Sequence, residues 1–357
     1  MTDTPETHQS VPSGSGQGET HWTEPGAYEV APGIHRVPLP LPMDGLRAVN
    51  VYVMETSRGL VLIDGGWAIE ESRRQLESAL RSIGHRVADI TRFLVTHVHR
   101  DHYTQASVVR REFGSHVSLG VGDKPTLDLM RDESLTEDPT ATQIRRAGAT
   151  KLAEAWRSMM PGKLPDLTQW EYPDEWLSED VTLDVGGRAL DAVSTPGHTQ
   201  GHYVFADLAD GLLFAGDHVL PTITPSIGFE PVHAEQPLGD FLASLAKVRA
   251  LPDMRLLPAH GPVTESSHSR VDELLVHHEE RLKLCLDAVE SGLETAYDVA
   301  QVLPWTRHHR SMRDLDVFNA ALATMETAAH LDLLAARTRI VRTEVDGTFR
   351  YQGMPSS

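Results

Sequence analysis

Phe93-Leu94-Val95-Thr96-His97-Val98-His99-Arg100-Asp101-His102 is an apolar run that stops at the pattern H-x-H-x-D-H. Side chains two apart on an extended segment point the same way, so His97 and His99 can grip one ion together. Asp101 and His102, past the strand end, can turn toward a second. Imidazole and carboxylate are donors that zinc, manganese and iron all accept. The bland alternative is a polar strand-to-helix turn that happens to be rich in histidine. Against it stand four ligand-type residues within six positions, and their recurrence further along the chain.

Three later segments repeat the theme, each an apolar run that ends at a turn carrying a ligand-type residue. They are Thr195-Pro196-Gly197-His198-Thr199-Gln200-Gly201-His202, Leu212-Leu213-Phe214-Ala215-Gly216-Asp217-His218 and Arg255-Leu256-Leu257-Pro258-Ala259-His260-Gly261. Glycine and proline at such strand ends permit tight turns that leave the next side chain projecting from the sheet edge. The ligand-type residues should therefore gather on one edge.

In this order, H-x-H-x-D-H, P-G-H-T-x-G-H, G-D and A-H-G resemble the metallo-β-lactamase-fold hydrolases, closest to the binuclear glyoxalase II-like branch, over about residues 30 to 265. The resemblance implies two divalent ions, zinc first, with iron or manganese suited to the same donors. It implies that His97, His99 and His198 hold one ion, that Asp101, His102 and His260 hold the other, and that Asp217 bridges them. It also implies an α/β four-layer αβ/βα sandwich with the metals at one rim. Where many relatives continue D-H-x-G-G, this chain has Asp101-His102-Tyr103-Thr104-Gln105, so side chains replace backbone near the site and the pocket shape is in question. His202 and His218 read as residues that orient a ligand or close a turn. Asp64-Gly65-Gly66 is either a support for the site, as in the family, or a plain turn.

Around these motifs, 33–37, 49–54 and 60–63 read as strands of a meander, and apolar spacing predicts a helix over Ile69 to Ile83. A helix from Tyr103 to Phe113 and a strand from Val117 to Leu119 continue the alternation expected of a layered α/β fold. Residues 122–180 read as a helical insertion carrying Met130, Trp156, Met159, Met160, Trp170, Tyr172 and Trp176. It is either an apolar roof over the substrate or a helical hairpin burying its own aromatics. The loop Val219 to Phe229 should border the site, and Leu238 to Ala250 should be a helix.

Past Gly261 come three helical patterns, about Ser269 to Gly292, Thr295 to Leu303 and Leu315 to Leu334. Two short strands follow, Thr338 to Val341 and Thr348 to Tyr351, about the turn Asp346-Gly347. This resembles a winged-helix-like module, as in the lactamase-like endoribonuclease group. The division expected is a disordered tail over 1–26, a catalytic domain over 27–265 and the C-terminal module over 266–357. Arg307, His308, His309, Arg310 and Arg313 beside Trp305 form a basic cluster, offset by Asp287, Glu290, Glu294, Asp298, Asp314 and Asp316. His277 and His278 are expected at the surface, with the pocket as the alternative.

The net charge of −19 opposes a general nucleic-acid surface, because polyanion affinity rests on Lys and Arg. Met1 to Gly26 has no apolar stretch, so no secretory signal or membrane anchor is expected there and the protein reads as cytoplasmic. The one cysteine, Cys285, excludes an internal disulfide and reads as a packed thiol. The reaction expected is hydrolysis, with a hydroxide shared by two ions roughly 3.5 to 4 Å apart as nucleophile and Asp101 orienting it and carrying its proton. A small-molecule ester or thioester with an apolar acyl group is the first substrate class. RNA and lactones are the alternatives, a non-catalytic metal-binding regulator is the non-enzymatic one, and a homodimer is left open.

Overall fold

Strands around the quoted stretch are apolar on both faces, and in the protein both faces are covered. The structure, a computed structural model, describes residues 21–42, 45–132, 138–159, 166–305 and 311–354. The first sheet runs in chain order through β1 (Tyr28–Ala31), β2 (Ile34–Pro40), β3 (Ala48–Thr56), β4 (Gly59–Ile63), β5 (Ile90–Leu94), β6 (His116–Gly120) and β7 (Glu175–Leu177). β1 to β4 form an antiparallel meander, while β4 to β7 are parallel. The second sheet contains β8 (Val181–Val185), β9 (Arg188–Ser194), β10 (Tyr203–Asp207), β11 (Leu212–Gly216) and β12 (Arg255–Pro258) in the order β12-β11-β10-β9-β8.

The helices are α1 (Glu70–Ser82), α2 (Arg100–Phe113), α3 (Lys124–Met130), α4 (Pro139–Arg146), α5 (Thr150–Met159), α6 (Pro237–Arg249), α7 (Ser267–Glu290), α8 (Ala296–Val302) and α9 (Val317–Ala336). Three apolar interfaces join four layers. Tyr52, Ile63 and Leu94 of the first sheet meet Phe205, Phe214 and Leu257 of the second. Leu76, Leu80, Ala106 and Val109 on α1 and α2 cover the outer face of the first sheet. Val204, Leu213 and Leu256 lie under α6, α7 and α9 in a third cluster that also takes in Trp156, Leu282, Ala329 and Tyr351. The α/β four-layer sandwich with a C-terminal helical module is thus as expected.

Three details differ from the sequence reading. β5 stops at Leu94, so His97 and His99 lie beyond the strand, in the turn before α2. There the Thr96 N–H is drawn to Asp64 Oδ1 at 2.7 Å. α2 begins at Arg100, which puts Asp101 and His102 in its first turn. Finally, the 122–180 insertion is not purely helical, because β7 extends the first sheet beside β6. Its aromatics pack outward onto the body: Trp156 on Phe229 and Phe318, at 5.5 and 6.0 Å between centroids, and Trp170 on Tyr103 at 6.5 Å. Met160 lies outside the described residues.

In the C-terminal module, Ser266 caps α7 and Asp316 caps α9, each accepting an N–H from the third residue onward. The hairpin of β13 (Ile340–Val345) and β14 (Thr348–Gly353) turns on Asp346-Gly347, both at positive φ, as a tight two-residue turn requires. Cys285 is buried as expected, but so is His278, which faces His330 instead of solvent. Residues 307–310 of the basic cluster and 1–20 of the tail lie outside the described residues. No described helix is long and apolar enough to cross a membrane.

Candidate metal centre

The turn after β4 shapes the site first. Asp64 adopts a left-handed φ of 63°, and its carboxylate accepts the N–H and hydroxyl of Thr96 and the Nδ1–H of His102, the last at 2.8 Å. Of the two sequence readings of Asp64, the supporting one fits. On the opposite rim Asn50 Nδ2 donates to the carbonyls of Pro258 and Gly261, and Tyr52 donates to Pro258, fixing the turn that carries His260. Gly216 is needed where it stands, since a Cβ there would lie 2.7 Å from His202 Nε2 and 2.8 Å from Thr96.

Each of five imidazoles has one nitrogen tied outward. His198 Nδ1 faces the Ser226 carbonyl and His260 Nδ1 the Ala48 carbonyl, both at 2.8 Å. A carbonyl only accepts, so both Nδ1 atoms carry the proton and both Nε2 atoms keep a lone pair in the neutral ring. His102 is fixed the same way by Asp64, and His97 Nδ1 by the Thr96 hydroxyl at 3.0 Å. The freed atoms converge. His97 Nε2 and His198 Nε2 lie 3.0 and 3.1 Å from His99 Nδ1. Around the second set, His260 Nε2 is 3.5 Å from Asp101 Oδ2 and 3.4 Å from Asp217 Oδ1, and His102 Nε2 is 3.6 Å from Asp217 Oδ1. Asp217 Oδ2 points the other way, 3.6 Å from His198 Nε2. All seven sequence-identified residues are therefore brought together, in groups whose donor atoms lie within 4.8 Å of one another.

These donors fit a cation. His102 Nε2, His260 Nε2 and Asp217 Oδ1 are buried without a hydrogen-bond partner among the described residues, which is costly unless something positive sits between them. Burial opposes charge on His102, yet Asp64, Asp101 and Asp217 push it up to about 10. Burial pushes His198 down to about 4, helped by His99, and holds His97 well below the usual imidazole range. Against the opposing effect of burial, the imidazoles of His102 and His260 hold Asp101 below the usual carboxylate range.

His202 is fully used elsewhere, its Nδ1 on the Thr195 hydroxyl and its Nε2 accepting the Asp217 N–H at 3.2 Å. His218 is buried edge-on to Phe241, with ring centroids 5.0 Å apart. Tyr103, Thr104 and Gln105 are buried beside the site. Tyr103 donates to the Glu171 carbonyl, Thr104 accepts the Ala68 N–H, and Gln105 donates to the Gly65 carbonyl. They brace the turn at Gly65 and the insertion.

Sequence reasoning missed two residues. Asp123 accepts the N–H of Val98 at 2.8 Å and that of Gly201 at 2.7 Å, so one carboxylate ties the H-x-H loop to the P-G-H loop. Burial pushes Asp123 up to about 7. Glu230 meets His99 Nε2 at 2.6 Å. It stands just past the Val219 to Phe229 loop, whose expected place beside the site was the one available signal. A narrow cleft opens at this point, lined by Gly197, Glu230, Val232, Pro237, Met325 and Ala329 among others.

The family profile described as Metallo-beta-lactamase superfamily matches residues 44–260. A Beta-lactamase-like protein 2 homolog of Caenorhabditis elegans is 26% identical over 290 residues, covering 81% of this chain and 76% of that protein. The probable metallo-hydrolase YqjP of Bacillus subtilis is 24% identical over 330 residues, covering 89% of this chain and 97% of its own length. The crystal structure of a metallo-beta-lactamase family protein from Thermus thermophilus superposes with a TM-score of 0.75 at 26% identity, covering 91% of this chain and all of that one.

Proposed function

The chain belongs to the metallo-beta-lactamase superfamily, and on that footing we propose that it is a binuclear metal-dependent hydrolase that cleaves a small-molecule ester or thioester with an apolar acyl group. Superfamily membership and the His/Asp groups support a metallo-hydrolase. The observation that carries the binuclear reading is the inward set of orphaned donors, with the two oxygens of Asp217 turned to opposite groups. We assign His97, His99 and His198 to one ion, Asp101, His102 and His260 to the other, and Asp217 to both. Zinc is expected first.

Two divalent ions held in those places would supply a water acidic enough to ionise near neutral pH and positive charge to offset the oxyanion of the attack. The chain's own groups do the rest. Asp101 stays ionised beside His102 and His260, so its Oδ2 can orient the attacking water and carry its proton to the leaving group. Asp64 and the Ser226 and Ala48 carbonyls keep the imidazoles in one tautomer. No serine or cysteine nucleophile is needed, and Cys285 is buried within α7.

An acyl substrate is supported by the net charge of −19 and by Val232, Pro237, Met325 and Ala329 in the cleft that Glu230 also lines. The C-terminal residues are read as a winged-helix-like module that packs on the catalytic layers, in keeping with the apolar cluster they share. The test is thiol release from acyl thioesters of increasing chain length by metal-quantified protein. Turnover should rise with acyl apolarity. If metal-loaded protein releases no thiol, the thioester reading fails, and lactones and RNA are the next substrates.

A further inference from the structure

Of the five inward-turned imidazoles, four are packed nearly out of solvent, whereas the His99 side chain is 34% exposed. Packing alone therefore does not fix its ring. It is also the one that uses Nδ1, not Nε2, toward its neighbours, which leaves Nε2 facing outward. There Glu230 meets it, from 131 residues further along the chain and with its own side chain only 11% exposed. Glu230 is in turn held from behind: Oε2 lies 3.4 Å from the Thr126 hydroxyl on α3, and its main-chain carbonyl accepts from Gln143 Nε2 on α4 at 2.9 Å.

His97, His198 and His260 lean on neutral oxygens, and within the second group His102 leans on the carboxylate of Asp64. A carboxylate partner does more than a neutral one: it fixes the tautomer and also makes the free nitrogen a stronger donor. Each group thus holds one carboxylate-backed imidazole, and in the first group it is the exposed one.

We propose that Glu230 is the positioning residue for His99, holding Nε2–H so that Nδ1 stays between His97 Nε2 and His198 Nε2, and that through it α3 and α4 set the metal affinity of that group. The inference rests on the assignment of the seven donors as ligands. A ring released from Glu230 can turn about its side-chain bonds into solvent, and the group then drops to two fixed donors.

The experiment is equilibrium dialysis of the full-length protein against Zn²⁺, with stoichiometry and affinity resolved for each ion. It compares wild type, Glu230→Gln, Glu230→Asp and, as a control on the same loop, the exposed Glu235→Gln. Unfolding of each chelated protein is followed in parallel. Glu230→Gln should weaken one of the two ions about ten- to hundredfold and leave the other unchanged. Glu230→Asp should recover part of the loss, Glu235→Gln should behave as wild type, and the chelated proteins should melt together. Two ions bound by Glu230→Gln with wild-type affinity would overturn the inference, as would a loss matched by an equal fall in the stability of the chelated protein. If wild type takes up no Zn²⁺, it is the seven-ligand assignment that falls, and this inference with it.

Discussion

Two clusters of buried histidines stand a short way apart in this protein, and they have opposite characters. In the candidate metal centre, His102 is ringed by Asp64, Asp101 and Asp217, and is pushed up to about 10 in spite of burial. Between α7 and α9, His278 and His330 face each other at 3.2 Å, with Phe241 edge-on to His278. There burial prevails, with neighbouring cationic groups adding to it, and the pair is pushed down to about 2 and about 3. Both places hold buried imidazoles in contact with one another. The carboxylates make the difference: those around His102 call for a cation, while none acts on His278 or His330, which stay neutral and part of the core.

The sharpest way to break this contrast is to remove the carboxylate shared by both donor groups. Asp217→Ala should abolish binding of two ions and lower turnover by about a thousandfold or more, given the several kcal/mol that such ions contribute. Wild-type metal content and turnover in that variant would refute the bridging role. Asp64→Asn acts at one remove, on His102 directly and on His97 through Thr96. A loss of about ten- to hundredfold in zinc affinity is expected, measured against a chelator of known strength.

A smaller effect should come from the α7–α9 pair. Both imidazoles titrate lower in the folded chain than in the unfolded one, so the stability they contribute is complete above about pH 6.5 and declines as pH falls from there toward about 3. Arg281 and His277 face the same interface and oppose protonation further, while the Glu326 carbonyl on α9 accepts from His330 Nδ1. Urea melts of the chelated protein should lose on the order of 1 kcal/mol per pH unit for each imidazole over that range. In His330→Phe the slope should flatten by about one imidazole's share. An unchanged slope would show that the pair is hydrated in the native state.

Local signals carried most of what the sequence disclosed. A ligand-type residue directly after an apolar run marks a strand end whatever lies elsewhere, and four such motifs in order carried the resemblance that implied the candidate ligands and the layered architecture. Element ends moved by a few residues where tertiary partners intervened, as when Asp64 captured the Thr96 N–H and α2 took up Asp101. Asp123 was illegible, and Glu230 was signalled only by the loop before it, for a different reason. Neither sits in a pattern, and each acts on a loop far along the chain, so only the packing of α3 and α4 against the rim discloses them. The roof reading of the insertion aromatics also needed the third dimension, since periodicity does not say that Trp156 turns to Phe318 on α9.

Trp156 itself belongs to a cluster with no seam. It passes without a break from Ala141 and Trp156 of the insertion, through Val204 and Leu213 of the second sheet, to Leu274, Ala329 and Tyr351 near the end of the chain. Such a shared interior makes the residues beyond Gly261 a poor candidate for removal. A chain cut there would bare an apolar wall on the second sheet and is expected to aggregate, while the intact chain should melt in one cooperative step. Evolution could alter the catalytic rim one loop at a time, but it could exchange the C-terminal helices only by rebuilding the wall they cover.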